Sequence, residues 1–287
     1  MLPAVLAGCS FPIRPGTVTT TGTPEAASTP SSQPSAPASA EAALGAHVFV
    51  IVMENTTYDQ ALAQPFTRSL ADQYALASNY HAVSHPSLPN YLAMTAGSTF
   101  GIRDDSYRAL PPGGLGAQLT QAGVSWKAYA EGMAGDCLTN TPRYAVKHNP
   151  FAFYGGACPA NVVAMDQLAG DLAGTTPRLS WLIPDLCHDG HDCPAATADG
   201  WLAATVPAIL ASPAWKAGGV LFITWDEDDG SGDNHVATLV VAPRLASHTT
   251  AVAYDHYSLL ATIEDRLGVS RLGQAATATP ITDVLAG

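Results

Sequence analysis

His47-Val48-Phe49-Val50-Ile51-Val52-Met53 is an almost unbroken apolar run rich in β-branched side chains, and Glu54 and Asn55 follow it at once. A short run without polar alternation predicts a strand buried on both faces, as in a parallel sheet covered by helices. Runs at 179–183, 220–225 and 236–241 repeat the signal. Between them, stretches 66–75, 88–96, 115–122, 162–172, 201–210 and 257–267 carry helical spacing. In the last of these Leu260, Ile263 and Leu267 recur at three and four residues, and Asp255 precedes them as a candidate cap. Strands alternating with helices predict an α/β protein with a doubly covered, mostly parallel sheet. Functional groups should then gather at the carboxyl ends of the strands.

The chain has 287 residues, longer than a typical domain of about 150, yet an α/β enzyme can use most of that length as one unit. Its 24 acidic and 12 basic side chains give a net charge of −12, the wrong sign for a groove that grips nucleic acid. With 47% hydrophobic and 13% charged residues it is a folding chain, not a wholly disordered one. No apolar run reaches the roughly 18 residues that would span a bilayer.

The five cysteines are odd in number, and Cys9 stands apart in Leu6-Ala7-Gly8-Cys9-Ser10. Small residues before a cysteine at the end of an apolar stretch resemble a bacterial lipoprotein signal, in which that cysteine takes the lipid. Residues 1–9 are therefore expected to be a signal remnant, although Met1 to Gly8 is short for one and lacks Lys or Arg. Residues 10–45, dominated by Thr, Ser, Pro and Ala, are expected to be a disordered tether, with the folded domain over 46–287. Membrane contact would then come through the lipid anchor only. For an exported protein the simplest pairing of the other cysteines is Cys137 with Cys158 and Cys187 with Cys193, one of three connectivities. A zinc site is the rival, but the spacings lack a CxxC pair. The stretch 133–156 has no clear period and reads as a long loop.

Three polar clusters carry the chemistry. Glu54 and Asn55 follow the first strand, and a carboxylate with an amide oxygen there are hard donors suited to a divalent cation. By themselves they are only a polar turn. Asp226-Glu227-Asp228-Asp229-Gly230 follows another strand, and crowded carboxylates repel unless a cation or protons neutralise them. An EF-hand loop fails here, because Gly230, Ser231 and Ala237 stand where that loop needs a ligand, its turn glycine and its bidentate Glu. The third cluster is His85-Pro86-Ser87-Leu88-Pro89-Asn90-Tyr91, with Ser87 at a predicted helix start. Free N–H groups there favour an anion beside the hydroxyl, and Asn90, three residues on, should face the same side. The plainer reading is that Ser87 is an N-cap.

Serine is a weak nucleophile that needs a base or a metal, and without a G-x-S-x-G elbow around Ser87 the metal route is favoured. Histidines lie at His148, His235, His256 and in the run His188-Asp189-Gly190-His191-Asp192, where two imidazoles and two carboxylates have little packing value. They could bind phosphoryl oxygens, protonate a leaving alkoxide or ligate a metal.

From about His47 to Gly268 the chain resembles the bacterial phosphoesterase family of phospholipases C and acid phosphatases, a branch of the alkaline-phosphatase-like superfamily. The resemblance rests on FVIVMENTTYD, SHPSLPNY, KHNPF, IPDLCHDGHDC, FITWDEDDG with NHV, and DHYSLLATIED, in that order. It implies an α/β/α sandwich and a phosphoserine route. It also implies Glu54, Asn55, Asp226 and Glu227 as ligands of one divalent metal together with Ser87, the nucleophile. Asn90 would hold a phosphoryl oxygen, and His148, His191 and His235 would face the substrate, with His191 a candidate proton donor to the leaving alcohol. The oxygen-rich set suits Mg, Mn or Ca, and zinc is also compatible. Phospholipase members of the family tend to be larger, which points to small phosphomonoesters as substrates. The alternatives are a phospholipase C or phosphodiesterase and, in another class, a surface lipoprotein that binds a metal or ligand without turnover.

Overall fold

A computed structural model describes residues 47–285. Cys9, the expected signal over 1–9 and the expected tether over 10–45 lie outside the described residues. Among the described residues ten strands occur in chain order: β1 (Val48–Met53), β2 (Ala75–Ala77), β3 (Tyr80–His81), β4 (Trp126–Ala130), β5 (Val162–Ala164), β6 (Leu179–Ile183), β7 (Val220–Trp225), β8 (Thr238–Val241), β9 (His248–Thr250) and β10 (Tyr254–Asp255). The helices are α1 (Tyr58–Leu62), α2 (Pro65–Gln73), α3 (Ser87–Ala96), α4 (Gly114–Gln121), α5 (Gln167–Ala173), α6 (Ala195–Ala211), α7 (Pro213–Lys216) and α8 (His256–Leu267).

Eight strands form one sheet in the order β5-β4-β6-β1-β7-β8-β2-β9. All pairings are parallel except those of β8 with β7 and β2. Every residue of β1, β6 and β7 is buried, so both faces of the sheet centre are covered. One group of helices packs α3 against α4 and α8, and a second packs α6 against α2, α5 and α7. This is the expected α/β/α sandwich with a mostly parallel sheet.

Register positions the chemistry. Val48 of β1 lies opposite Leu179 and Val220, and Met53 opposite Trp225, so the residues after β1 and β7 emerge side by side. The Asp226 N–H donates to the Met53 carbonyl (2.9 Å), which fixes that adjacency. The start of helix α8 is set by Asp255, whose Oδ1 accepts from Ser258 N (2.9 Å), as its spacing predicts.

Two expectations change. The helix expected over 162–172 is two elements, strand β5 and then α5, because Val162–Ala164 pairs with β4 before the helix begins. The strand expected over 236–241 starts only at Thr238, since Val236 donates to Tyr80 across the sheet's end. The loop over 133–156 holds only short 3-10 turns at Val146–His148 and Pro150–Ala152. Disulfides join Cys137 to Cys158 and Cys187 to Cys193, the simplest of the three pairings.

Candidate active site

Ser87 is the first residue of α3, and Pro86, not Ser87, occupies the cap position. The serine side chain is thus free of capping and turns inward, where its Oγ lies 3.0 Å from Glu54 Oε2 and 3.1 Å from Glu227 Oε1. A hydroxyl carries one proton, so it donates to one carboxylate, and its second close approach requires a proton or a cation on the other. Asp226 completes the group: it is fully buried, its Oδ1 accepts from Asn55 N (3.4 Å), and its Oδ2 has no hydrogen-bond partner. Three strand-end acids, 54, 226 and 227, therefore meet around one buried hydroxyl.

Burial raises the pKa of all three. Glu54 is pushed up to about 7, chiefly by burial, with the His148 charge opposing. Asp226 is held well above the ordinary carboxylate range by burial and then by Glu54 and Glu227, and Glu227 is also raised, with burial the main cause. A buried carboxylate cluster costs free energy unless protonated or paired with a cation. The orphaned Asp226 Oδ2, the hard oxygen donors and the adjacent hydroxyl together fit a divalent cation.

The surrounding residues brace this group. Tyr91, one turn beyond Ser87 on α3, donates its hydroxyl to Glu54 Oε1 (2.7 Å). His148 is buried with Nε2 3.1 Å from Glu54 Oε1 and Nδ1 3.0 Å from Asp189 Oδ2, and burial lowers its pKa to about 4. Asp189 is itself buried and raised to about 7 by that burial, while its Oδ1 accepts from His191 N (2.8 Å). Gly190, at φ +101°, lets this loop lie against β1's exit, where a Cβ would sit 3.2 Å from the Glu54 carbonyl. His85 Nδ1 lies 2.6 Å from Glu227 Oε2, close but off hydrogen-bond geometry, and its Nε2 lies 3.3 Å from Asp228 Oδ1. His256, also buried, donates from Nε2 to the Asp226 carbonyl (2.6 Å) and accepts from Tyr80 OH at Nδ1 (3.0 Å).

His191 sits at the half-buried edge, with Nδ1 2.7 Å from Asp192 Oδ1 and Nε2 3.2 Å from Lys147 Nζ. Lys147 also reaches Asp105 Oδ2 (2.8 Å), and Asp105 Oδ1 accepts from Leu88 N (3.0 Å). The free N–H expected at the start of α3 is thus capped by a carboxylate of the protein itself.

Three residues differ from expectation. Asn90 does not present its amide beside Ser87. Its Oδ1 accepts from Val83 N and Ser84 N (3.0 Å each), and its Nδ2 donates to the Ser84 and Pro86 carbonyls, so it ties the 83–86 loop to α3. His235 is a strut at the sheet's end: its Nε2 pairs with the Ser78 carbonyl (2.9 Å) and its ring stacks on Tyr58 and His81. Asn55 approaches Asp226 through its backbone N–H, at φ 44°, and its side chain makes no hydrogen bond to the acids among the described residues.

Among the described residues, Glu54, His148 and His191 bring ligand-type atoms within 4.8 Å of one another. It shares only Glu54 with the carboxylate set. The Lys147 ammonium beside His191 opposes a cation there. A second grouping, Glu131, Asp185 and His188, already holds the Arg143 guanidinium on Asp185.

The sheet order and its covering helices are those of an α/β/α sandwich. The closeness of fold is seen in a protein of the alkaline phosphatase superfamily from Vibrio parahaemolyticus, with a TM-score of 0.59, 11% identity and coverage of 80% of this chain and 69% of that one. The family model described as the Phosphoesterase family matches residues 60–270, and the chain belongs to that family. It is similar to a phosphatidylinositol-3-phosphatase of Mycobacterium tuberculosis, 33% identical over 253 residues, spanning 83% of this chain and 82% of the relative. A probable acid phosphatase of Kluyveromyces lactis is 29% identical over 82% of this chain, which spans 64% of that relative's length. The protein is accordingly a phosphoric ester hydrolase.

Proposed function

We propose that the protein is a metal-dependent phosphomonoesterase that uses Ser87 as nucleophile and passes through a phosphoserine. The reading is carried by one observation: Ser87 Oγ sits between Glu54 and Glu227 while Asp226 Oδ2 lies buried and unpartnered beside them. Glu54, Asp226 and Glu227, with Ser87, would hold one divalent cation, and the all-oxygen set favours Mg, Mn or Ca with zinc compatible. When bound, the cation offsets the acids' mutual repulsion and makes the hydroxyl more acidic.

The chain's own groups do the rest. Glu54 or Glu227 accepts the Ser87 proton, and Oγ attacks phosphorus in line as the bond to the leaving alcohol breaks. Tyr91 and His148 keep the Glu54 carboxylate aimed at Oγ. The Lys147 and His191 pair supplies positive charge and a proton on the alcohol's side. Water then hydrolyses the phosphoserine. Both disulfides support a location outside the cytoplasm, where thiols oxidise, and Cys9 is proposed as the lipid anchor site.

The test is turnover by purified protein stripped with a chelator and then supplied with Mg, Mn, Ca or Zn in turn, on para-nitrophenyl phosphate and on bis(para-nitrophenyl) phosphate. Activity restored by a divalent ion and confined mainly to the monoester supports the reading. Undiminished activity in chelator, or preference for the diester, overturns it.

A further inference from the structure

A cavity of about 320 Å³ opens beside the site, sharing Asp105, Lys147 and His191 with it. Its far wall is built by Tyr107, Tyr144 and Leu186. Volume alone places it at the small end of ligand pockets, room for one compact group and not for two acyl chains.

The polar inventory narrows the ligand further. The Tyr144 hydroxyl donates to the Cys137 carbonyl and accepts from Asn149 Nδ2 (2.8 Å each). Thr141 Oγ1 donates to the Gly132 carbonyl and accepts from the Arg143 and Tyr144 amides. The Tyr107 hydroxyl points to the Ala152 carbonyl and Asn140 Oδ1 accepts from Val146 N, so the wall's hydroxyls are spent inside the protein and the Asn140 Nδ2 amide alone offers little to a polyol, whose several hydroxyls would lose their water uncompensated. A quaternary ammonium, which aromatic faces also attract, would here lie beside the Lys147 ammonium, and Asp105, paired with Lys147 and the Leu88 amide, does not offset that repulsion. A further anion would meet the Asp105 carboxylate. What remains is a flat, uncharged group, and the Tyr107 ring suits one. It rests on Phe153 at a centroid distance of 5.1 Å, yet the residue is 44% exposed, unusual for a large apolar side chain here. An aromatic ring half-supported and half-open at a pocket wall is a stacking surface.

We propose that this cavity is the leaving-group subsite, and that it selects phosphomonoesters whose alcohol carries a neutral aromatic ring, with Tyr107 as the specificity-determining residue. The proposal rests on Ser87 being the nucleophile next door, since that reading places the departing alcohol on the side of Lys147 and His191.

The experiment compares Tyr107→Ala, Tyr107→Phe and the parent on phenyl phosphate, glycerol 2-phosphate, inositol 3-phosphate and phosphocholine, with inorganic phosphate as a competitive inhibitor. Ratios of mutant to parent kcat/KM for each ester cancel the intrinsic reactivity of the leaving groups. Tyr107→Ala is expected to lose about five- to tenfold on phenyl phosphate through KM, the loss of one stacked ring. Its values for the three non-aromatic esters and its inhibition by inorganic phosphate should be unchanged, and Tyr107→Phe should restore phenyl phosphate. Equal losses on all four esters, or a loss confined to inositol phosphate or phosphocholine, overturns the subsite. Full activity of Ser87→Ala in the same assay would instead overturn the reading beneath it, so the two failures are separable.

Discussion

Ser87 Oγ lies 3.0 Å from Glu54 Oε2, although the two residues are 33 positions apart and belong to a helix start and a strand end. The β1–β7 register delivers Glu54 to that point beside Asp226. A buried hydroxyl set among acids that repel one another is costly for the fold and suited to chemistry, a trade often found at active sites.

Asp226 exposes that trade. Asp226→Asn removes a buried acid whose Oδ2 has no partner, and in chelator the variant should melt at or above the parent's temperature. It should also lose the rise in Tm that a divalent ion gives the parent, and turnover should fall by about a hundredfold or more. Thermal melts with and without the ion, beside an activity assay, check both arms. A variant that binds the ion and works normally would remove Asp226 from the site.

The pH dependence has a definite sign. Glu54 and Asp189 are held at about 7 in the folded protein, above the ordinary carboxylate values that the unfolded chain shows. A raised folded pKa means the unfolded chain loses its proton first, so the contribution of these two acids to metal-free stability should decline as pH rises from about 4 through 7, while buried His148 and His256, lowered to about 4, act in the opposite direction. A cation must displace the protons held by the acids, so its affinity should increase over the same window. Calorimetric titration of Mg or Mn at pH 5.5 and 7.5 reads this directly. Tighter binding at the lower pH would contradict it.

Tyr91→Phe deletes one hydroxyl in a packed environment and leaves Glu54 Oε1 without its 2.7 Å donor. Loss of a buried hydrogen bond to a charged acceptor should cost about 1.5–3 kcal/mol of stability in the metal-loaded protein. It should lower kcat more than it raises KM, because the tyrosine steers the base and does not touch substrate. An unchanged kcat would reduce Tyr91 to a packing role.

Strand ends were readable from the sequence because acids following uninterrupted apolar runs have few other reasons to be there. Glu54, Asp226, Glu227 and Ser87 converge for that reason. The i+3 inference failed at Asn90, whose amide finds nearer partners in its own preceding loop. Tyr91, at i+4 on the same helix, is the residue that reaches Glu54, a spacing equally available in the sequence. His235 looked chemical and is a stacked strut, and only tertiary packing tells the two apart. His85, two residues before Ser87 in sequence, and Asp189, inside the HDGHD run, were visible as letters, but their partners Glu227 and His148 are far along the chain. Strand β4, Trp126-Lys127-Ala128-Tyr129-Ala130, escaped notice because Lys127 breaks its apolar run. That lysine's ammonium is paired with Asp171 (2.7 Å).

The central claim is that the phosphoryl group passes through Ser87. Acid quench of the metal-loaded enzyme during turnover of a phosphomonoester, followed by peptide mass spectrometry, tests it most directly. The account predicts phosphate on the peptide containing Ser87 in the parent, and neither the adduct nor turnover in a folded Ser87→Ala variant. Phosphate trapped on a histidine instead, or near-normal turnover by Ser87→Ala, would contradict it.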